Sequence, residues 1–155
     1  MPFDVRRATP YDAVAASALA RAAKAHWGYP ASWLELWADD LTISPELLST
    51  EPAFVATDPD GSVVGICILV RTREVASIEH VWIHPDRQGH GIGRELVTRA
   101  LERARESRAR IVQVQSDPFA EAFYLNLGAR RVGAVPAAMP GAPDRTLPLL
   151  EFSLE

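Results

Sequence analysis

One stretch constrains this chain more than any other. The strand-like run from Val75 to Ile83 stops at His84-Pro85-Asp86, and a turn holding Gly89, Gly91 and Gly93 then opens into a helical period. In that helix Ile92, Leu96, Val97, Ala100, Leu101 and Ala104 mark one face to about Ser107, and charges fill the other. Glycines let a backbone approach a ligand closely and adopt positive φ, while the free N–H groups of a helix start aim partial positive charge at phosphate oxygens. Arg87 and Arg94 are placed to add full charges. A turn whose glycines only permit tight packing has the same spacing, so two readings stand at this point.

The rest of the chain alternates elements around this unit. Val5 to Thr9 reads as a first strand, ended by Pro10, and Tyr11 to about His26 as a helix rich in alanine, with Val14 and Leu19 on its apolar stripe. After the break at Gly28 and Pro30, Ser32 is a suitable N-cap for a second helix through Trp33, Leu34, Leu36, Trp37 and Leu41, with Pro45 and Pro52 bracketing its exit. Phe54 to Thr57 and Val63 to Val70 flank Asp58-Pro59-Asp60-Gly61, the pattern of an antiparallel hairpin. Ile111 to Gln115 alternates as a strand. Asp117-Pro118 caps a short helix to Leu127, ended by Gly128. Arg131 to Val135 is extended, Pro136 to Pro143 is a loop, and Leu147 to Leu154 is a final strand. The order β, α, α, β, β, β, α, β, α, β, β predicts an α/β (α+β mixed) sheet flanked by helices.

Composition narrows the classes. With 155 residues and 48% hydrophobic content, one domain spanning 1–155 can bury a core without disulfides or structural metal. The single cysteine, Cys67, lies between Ile66 and Ile68 and reads as a buried thiol in a reducing compartment. No apolar run approaches a membrane span, and Met1-Pro2-Phe3-Asp4-Val5-Arg6-Arg7 lacks a signal-peptide core, so a cytoplasmic protein with no membrane partner is expected. Lys+Arg 16 against Asp+Glu 20 gives a net charge of -4, which argues against nucleic-acid binding. Lys24 is the only lysine among those basic residues, a bias attributed to codon composition. His80 and His84 are four apart, but on a strand that is roughly 13 Å, so no metal site is expected.

The phosphate motifs separate by spacing. A P-loop needs Gly-Lys-Ser/Thr, and Lys24 is far away. A dinucleotide fingerprint needs Gly-x-Gly-x-x-Gly, whereas Gly89, Gly91 and Gly93 are spaced by two. The pattern Gln88-x-x-Gly91-x-Gly93 after Ile83-His84-Pro85 resembles the pyrophosphate-binding motif of the GNAT superfamily of N-acetyltransferases, and the element order agrees. His26-Trp27-Gly28-Tyr29, Ser116-Asp117-Pro118 and Leu147-Pro148-Leu149-Leu150-Glu151 resemble features of a bacterial subgroup without an assigned substrate.

The resemblance implies a GNAT-like, mostly antiparallel sheet with splayed central strands. It implies acetyl-CoA as cosubstrate, its pyrophosphate held by backbone amides of Gln88, Gly89, His90, Gly91, Ile92, Gly93 and Arg94. Main-chain groups of Val81, Trp82 and Ile83 would pair with the pantetheine arm, one N–H holding the thioester oxygen. As core strand, the same three residues need no ligand. The acceptor implied is an amine of a small molecule or peptide, attacking the thioester directly. Cys67 has no neighbouring base in sequence to make it a nucleophile. Exposed strand edges in such sheets often pair, which allows a homodimer.

Tyr124 matches the superfamily's frequent tyrosine beside the thioester. A phenol stays protonated at pH 7 and can donate to a leaving thiolate; a packed aromatic with a bonded hydroxyl is the alternative. The general base is expected at Glu79, since the superfamily often has a cleft carboxylate near that position, with His80 as its neighbour. Strand alternation sends the two to opposite faces unless a bulge intervenes. Glu121, one helical turn before Tyr124, is a further candidate, although the helix dipole alone favours a carboxylate there. Asp117 matches a position that contacts the cofactor, or else only caps a helix. Trp27 and Tyr29 are candidate acceptor-pocket residues, whereas Trp33 and Trp37 most simply pack one helix face. Arg145 either meets an acidic acceptor group or stays solvated in its loop. A non-catalytic acyl-CoA-binding domain and an unrelated phosphate-ligand enzyme are the alternative functions.

Overall fold

The computed structural model describes residues 2–72 and 75–155. Seven strands, β1 (Asp4–Arg7), β2 (Ala53–Thr57), β3 (Val63–Arg71), β4 (Val75–Ile83), β5 (Ile111–Gln115), β6 (Arg130–Pro136) and β7 (Thr146–Ser153), form one sheet in the order β1-β2-β3-β4-β5-β7-β6. The helices are α1 (Ala13–His26), α2 (Ala31–Leu36), α3 (Pro45–Thr50), α4 (Ile92–Glu106) and α5 (Glu121–Asn126). Every neighbouring pair is antiparallel except β4 with β5. That parallel pairing covers only Val75–Ser77 against Ile111–Gln113. Beyond it the two strands part and a wedge opens in the middle of the sheet. The mostly antiparallel sheet with splayed central strands is therefore as expected.

The wedge is held by a core on each face. In β3, Ile66 and Ile68 pack on the α1 side while Cys67 and Leu69 pack on the α4 side. A strand buried on both faces reads as an unbroken apolar run. Helix α4 buries Ile92, Leu96, Val97, Ala100 and Ala104, the face its period predicts. It starts close to β3 because Gly65 has no side chain: a Cβ there would lie 2.8 Å from Ile92 Cγ2. Helix α1 buries small residues, Ala13, Ala16, Ser17, Ala20 and Ala23, together with Leu19. Val14 does not share that face; it is 83% exposed. Ser17 donates to Ala13 C=O and accepts from Ile43 N–H at 2.8 Å, so the buried hydroxyl is satisfied.

Three local readings change. The second helix begins after Pro30 and ends at Leu36, earlier than Leu41, and Ser32 lies inside it. Helix α3, which the sequence reading did not assign, occupies the stretch between the bracketing Pro45 and Pro52: Ser44 accepts from Leu47 N–H at 3.1 Å, Pro45 takes the first helical position, and Leu48 is buried. The first strand stops at Arg7, and Pro10–Asp12 form a 3₁₀ turn. There Asp12 takes a bidentate pair of bonds from Arg6, each 2.9 Å, and a 2.8 Å bond from Thr9 N–H.

Candidate functional site

The glycine turn lies at the α4 end of the wedge. Gly89 and Gly91 have φ of 81° and 84°, the left-handed region, and a Cβ on either would meet nothing within 4 Å. The first hydrogen bond of α4 runs from Glu95 N–H to Gly91 C=O at 3.1 Å, which leaves the N–H groups of Ile92, Gly93 and Arg94 without an intrahelical acceptor. A cavity of about 500 Å³ covers this start, lined by Val81, Trp82, Ile83, Gln88, Gly89, Gly91, Ile92, Gly93 and Arg94. Directed amides, left-handed glycines and open space beside them suit a diphosphate.

Two polar groups of the turn are engaged by the protein itself, although Arg87 also lines this cavity. His90 is exposed, is not part of that lining, and places Nδ1 3.1 Å from Arg87 C=O. Arg87 is buried and its guanidinium contacts the Asp58 carboxylate in the β2–β3 turn, so its charge is already neutralised. Arg94 is the exposed cation beside the helix start.

Along β4 the phase of the strand reverses. Ala76 and Ile78 face the α4 core, and beyond Glu79 it is Val81 and Ile83 that do so. The register gives the reason: Ile68 pairs with His80 and Leu69 with Ile78, so Glu79 is an extra residue opposite β3. This β-bulge brings Glu79 and His80 to the lining of one cavity, although they are adjacent on a strand. Trp82 Nε1–H donates to His80 Nδ1 at 2.9 Å, which places the proton of the neutral imidazole on Nε2. Burial pushes the His80 pKa below its ordinary value, opposed by the charge of Asp40.

That cavity, of about 610 Å³, occupies the other side of the wedge. Trp27, Val81, Trp82, Ala120 and Tyr124 line both cavities, so the two meet along these residues. Tyr124 comes from α5, edge-on to Phe123 and Phe152 with ring centres 5.0 and 6.5 Å away. Its pKa is raised far above the usual tyrosine value, first by burial and then by the charges of Cys67 and Asp117. Cys67 is fully buried, and burial pushes its thiol up to about 12. Such a thiol is inert. Glu121 is not part of either lining; it lies 3.5 Å from Arg131 across to β6.

Sequence reasoning missed the most charged feature of the second cavity. Asp117 does cap the turn after β5, accepting from Phe119 N–H at 2.9 Å, but its carboxylate also pairs with Lys24 at 2.7 Å and accepts from the Tyr29 hydroxyl at 2.9 Å. It lines the 610 Å³ cavity and not the one over the glycine turn. Lys24 projects from α1 into a box of rings, with Nζ 4.2 Å from the centre of Trp37, 5.2 Å from Tyr29 and 5.8 Å from Trp27. Burial lowers its pKa and Asp117 opposes the shift. Arg145 is not solvated: its side chain is 12% exposed and stacks over Trp37 and Tyr29 at 5.2 and 5.6 Å. Trp33 and Trp37 therefore pack in this box and not only against each other. Trp27 stacks on Phe119 and lines both cavities, while Tyr29, expected in the acceptor pocket, is part of neither lining and donates its hydroxyl to Asp117. The one advance signal was that Lys24 is the sole lysine of the chain.

Among the described residues no cluster of His, Cys, Asp and Glu could hold a metal ion, and no helix is long and apolar enough to cross a membrane.

Known proteins share this architecture. The family model described as Acetyltransferase (GNAT) family matches residues 17–129. An uncharacterized N-acetyltransferase of Methanocaldococcus jannaschii is 32% identical over 88 residues, which take in 50% of this chain and 39% of that protein. The chain thus spans about two fifths of the length of that curated relative. Among solved structures, the PaiA N-acetyltransferase from Thermoplasma acidophilum in complex with coenzyme A superimposes with a TM-score of 0.79 at 15% identity, over 99% of each chain. A GCN5-related N-acetyltransferase from Rhodopseudomonas palustris gives 0.80 at 21% identity, over 99% of this chain and 96% of its own. YncA from Salmonella typhimurium, solved with its cofactor acetyl-CoA, gives 0.71 at 19% identity, over 100% and 95%.

Proposed function

The chain belongs to the GNAT acetyltransferase family, and from that premise we propose that it transfers the acetyl group of acetyl-CoA to a primary amine of a small molecule or peptide, by direct attack with both substrates bound. One observation carries the reading: Tyr124 lines the cavity over the glycine turn and the cavity beside Glu79 alike. A donor in the first and an acceptor in the second would meet at its hydroxyl.

Acetyl-CoA supplies an acyl carbon made electrophilic by its thioester. The chain's own groups do the rest. Amides from Gln88 to Arg94 hold the diphosphate. Val81, Trp82 and Ile83 pair with β3 on one side only, because β5 has already diverged, and their free main-chain edge takes the pantetheine arm. An N–H of that edge holds the thioester oxygen as negative charge develops on it. Glu79 removes the proton of the acceptor ammonium, directly or through one water. His80 is less suited to that task, since its Nδ1 accepts from Trp82 and its Nε2 carries the ring proton. As the nitrogen–carbon bond forms the carbon–sulfur bond breaks, Tyr124 gives its proton to the departing sulfur, and the second proton shed by the nitrogen passes through water to restore the phenol. Its raised pKa keeps the phenol protonated for this role. Asp117 serves the acceptor side through Lys24, Tyr29 and Arg145 instead of the cofactor. The seven strands share one sheet, which supports reading 1–155 as a single domain.

The test is an assay of free CoA released from acetyl-CoA across a broad panel of amines. Acceptor-dependent release supports the proposal. Thermal stabilisation by CoA with no release from any acceptor would make the chain a binding domain instead.

A further inference from the structure

We infer that the acceptor is an amine that also bears a carboxylate, held with its acid group against Arg145 and Lys24 and its amino group toward Glu79. The inference deepens the acetyl-transfer proposal and rests on it for the location of the reacting amine.

The argument begins with an imbalance of buried charge. The Lys24 and Arg145 side chains are each 12% exposed and the Asp117 side chain 7%, so two cations share one carboxylate, at 2.7 and 3.9 Å. The rings of Tyr29, Trp33 and Trp37 around them supply little polar solvation. A charge removed from water is costly unless it is paired; the buried side chains hold one anion for two cations, and Asp40 acts on Lys24 only from an exposed position. Arg145 also has donors to spare. Its hydrogen bonds to Ala137 C=O at 3.3 Å and to the Tyr29 hydroxyl oxygen at 3.4 Å are long, and a guanidinium carries five N–H groups. Both cations line the 610 Å³ cavity.

The same cavity also has exposed carboxylates at its lining. Glu79 on β4 and Asp40 beyond α2 are exposed, line the same cavity, and take part in no ion pair among the described residues. The cavity therefore has a buried positive pole and a solvated negative rim. A zwitterion complements both: its carboxylate completes the buried cluster, and its ammonium meets Glu79, where the proton must leave. Trp27, Trp37 and Trp82 add apolar lining for whatever side chain the acceptor carries. An amine without the acid group would leave Arg145 with only its 3.9 Å approach to Asp117. A site built around a charged partner rejects the analogue that lacks it.

The experiment titrates the CoA-loaded protein with the proteinogenic amino acids and, in parallel, their decarboxylated amines, following the fluorescence of the tryptophans that line the cavity. At least one acid should bind about tenfold or more tightly than its amine. That ratio should collapse in Arg145→Gln and persist in Arg145→Lys, with melting curves confirming that both variants fold. If every amine binds as tightly as its acid, or if the ratio survives Arg145→Gln, the inference is overturned. CoA release measured on the same panel separates the two ideas. Release with amines preferred over acids leaves acetyl transfer standing and sinks the acid-group requirement. Acid preference without any release does the reverse.

Discussion

The Lys24 ammonium lies 2.7 Å from Asp117 Oδ2, tying the last turn of α1 to the turn after β5 across 93 residues. The pair closes the acceptor side of the wedge, and it sits where water is scarce. Its members are consequently unequal. Asp117 answers two cations, whereas Lys24 answers one anion.

Asp117→Asn should therefore destabilise the protein more than Lys24→Met. The first leaves two buried cations without a carboxylate, a loss of about 3 to 5 kcal/mol; the second leaves Asp117 with Arg145 and Tyr29, at about 2 kcal/mol. Chemical denaturation of both variants and of the double variant checks the order, and equal losses would refute it.

Tyr124→Phe should lower turnover about a hundredfold or more while acetyl-CoA affinity stays nearly unchanged, because the hydroxyl acts only as the sulfur leaves. Its raised pKa also has a consequence for stability. The unfolded chain ionises at the ordinary tyrosine value of about 10 and the folded chain well above it, so the Tyr124 contribution is intact below about pH 10 and is lost as pH rises further. Native wild type minus Tyr124→Phe should show no tyrosinate absorbance from this residue near pH 10. A difference spectrum growing in at that pH would place the phenol in water.

Gly91 takes φ of 84° at the N-cap of α4, with open space where a side chain would go. Gly91→Ala strains the backbone by about 1 kcal/mol without filling the cavity. Gly91→Glu adds bulk and negative charge against the directed amides, and acetyl-CoA should bind about a hundredfold more weakly. Calorimetric titration of both variants tests the site, and undiminished binding to Gly91→Glu would move the diphosphate elsewhere.

The indole of Trp82 holds Nδ1 of His80 unprotonated. Asp40→Asn should lower the His80 pKa further, since the Asp40 charge opposes the effect of burial, readable by imidazole NMR; an unchanged titration would exclude Asp40 as a cause. In the wild type the folded pKa is the lower one, since burial disfavours the charged ring. Stability is thus present above the unfolded value of about 6.5 and declines as pH falls through the folded pKa. His80→Gln should flatten that decline in acid unfolding curves.

Much of the fold was legible because it is written locally. A period of two in β5, a helical stripe from Ile92 to Ala104, and the apolar run of β3 each depend on neighbours a few residues away. The glycine turn was legible for the same reason, since left-handed φ at Gly89 and Gly91 is a property of the residue itself. Helix α3 was signalled by Ser44-Pro45 but obscured by its two flanking prolines, which read equally well as loop.

The sequence by itself determined the elements other than α3, their order, the left-handed glycine turn and the burial of Cys67. Tertiary structure alone decided the bulge at Glu79, because an extra residue exists only relative to the partner strand β3. It also diverted Arg87 to Asp58 and gathered Lys24, Tyr29, Asp117 and Arg145 into one cluster. Periodicity reports on a residue's neighbours in the chain. The charge that faces Tyr29 from 116 residues away is set only when the sheet has closed and the helices have packed on it.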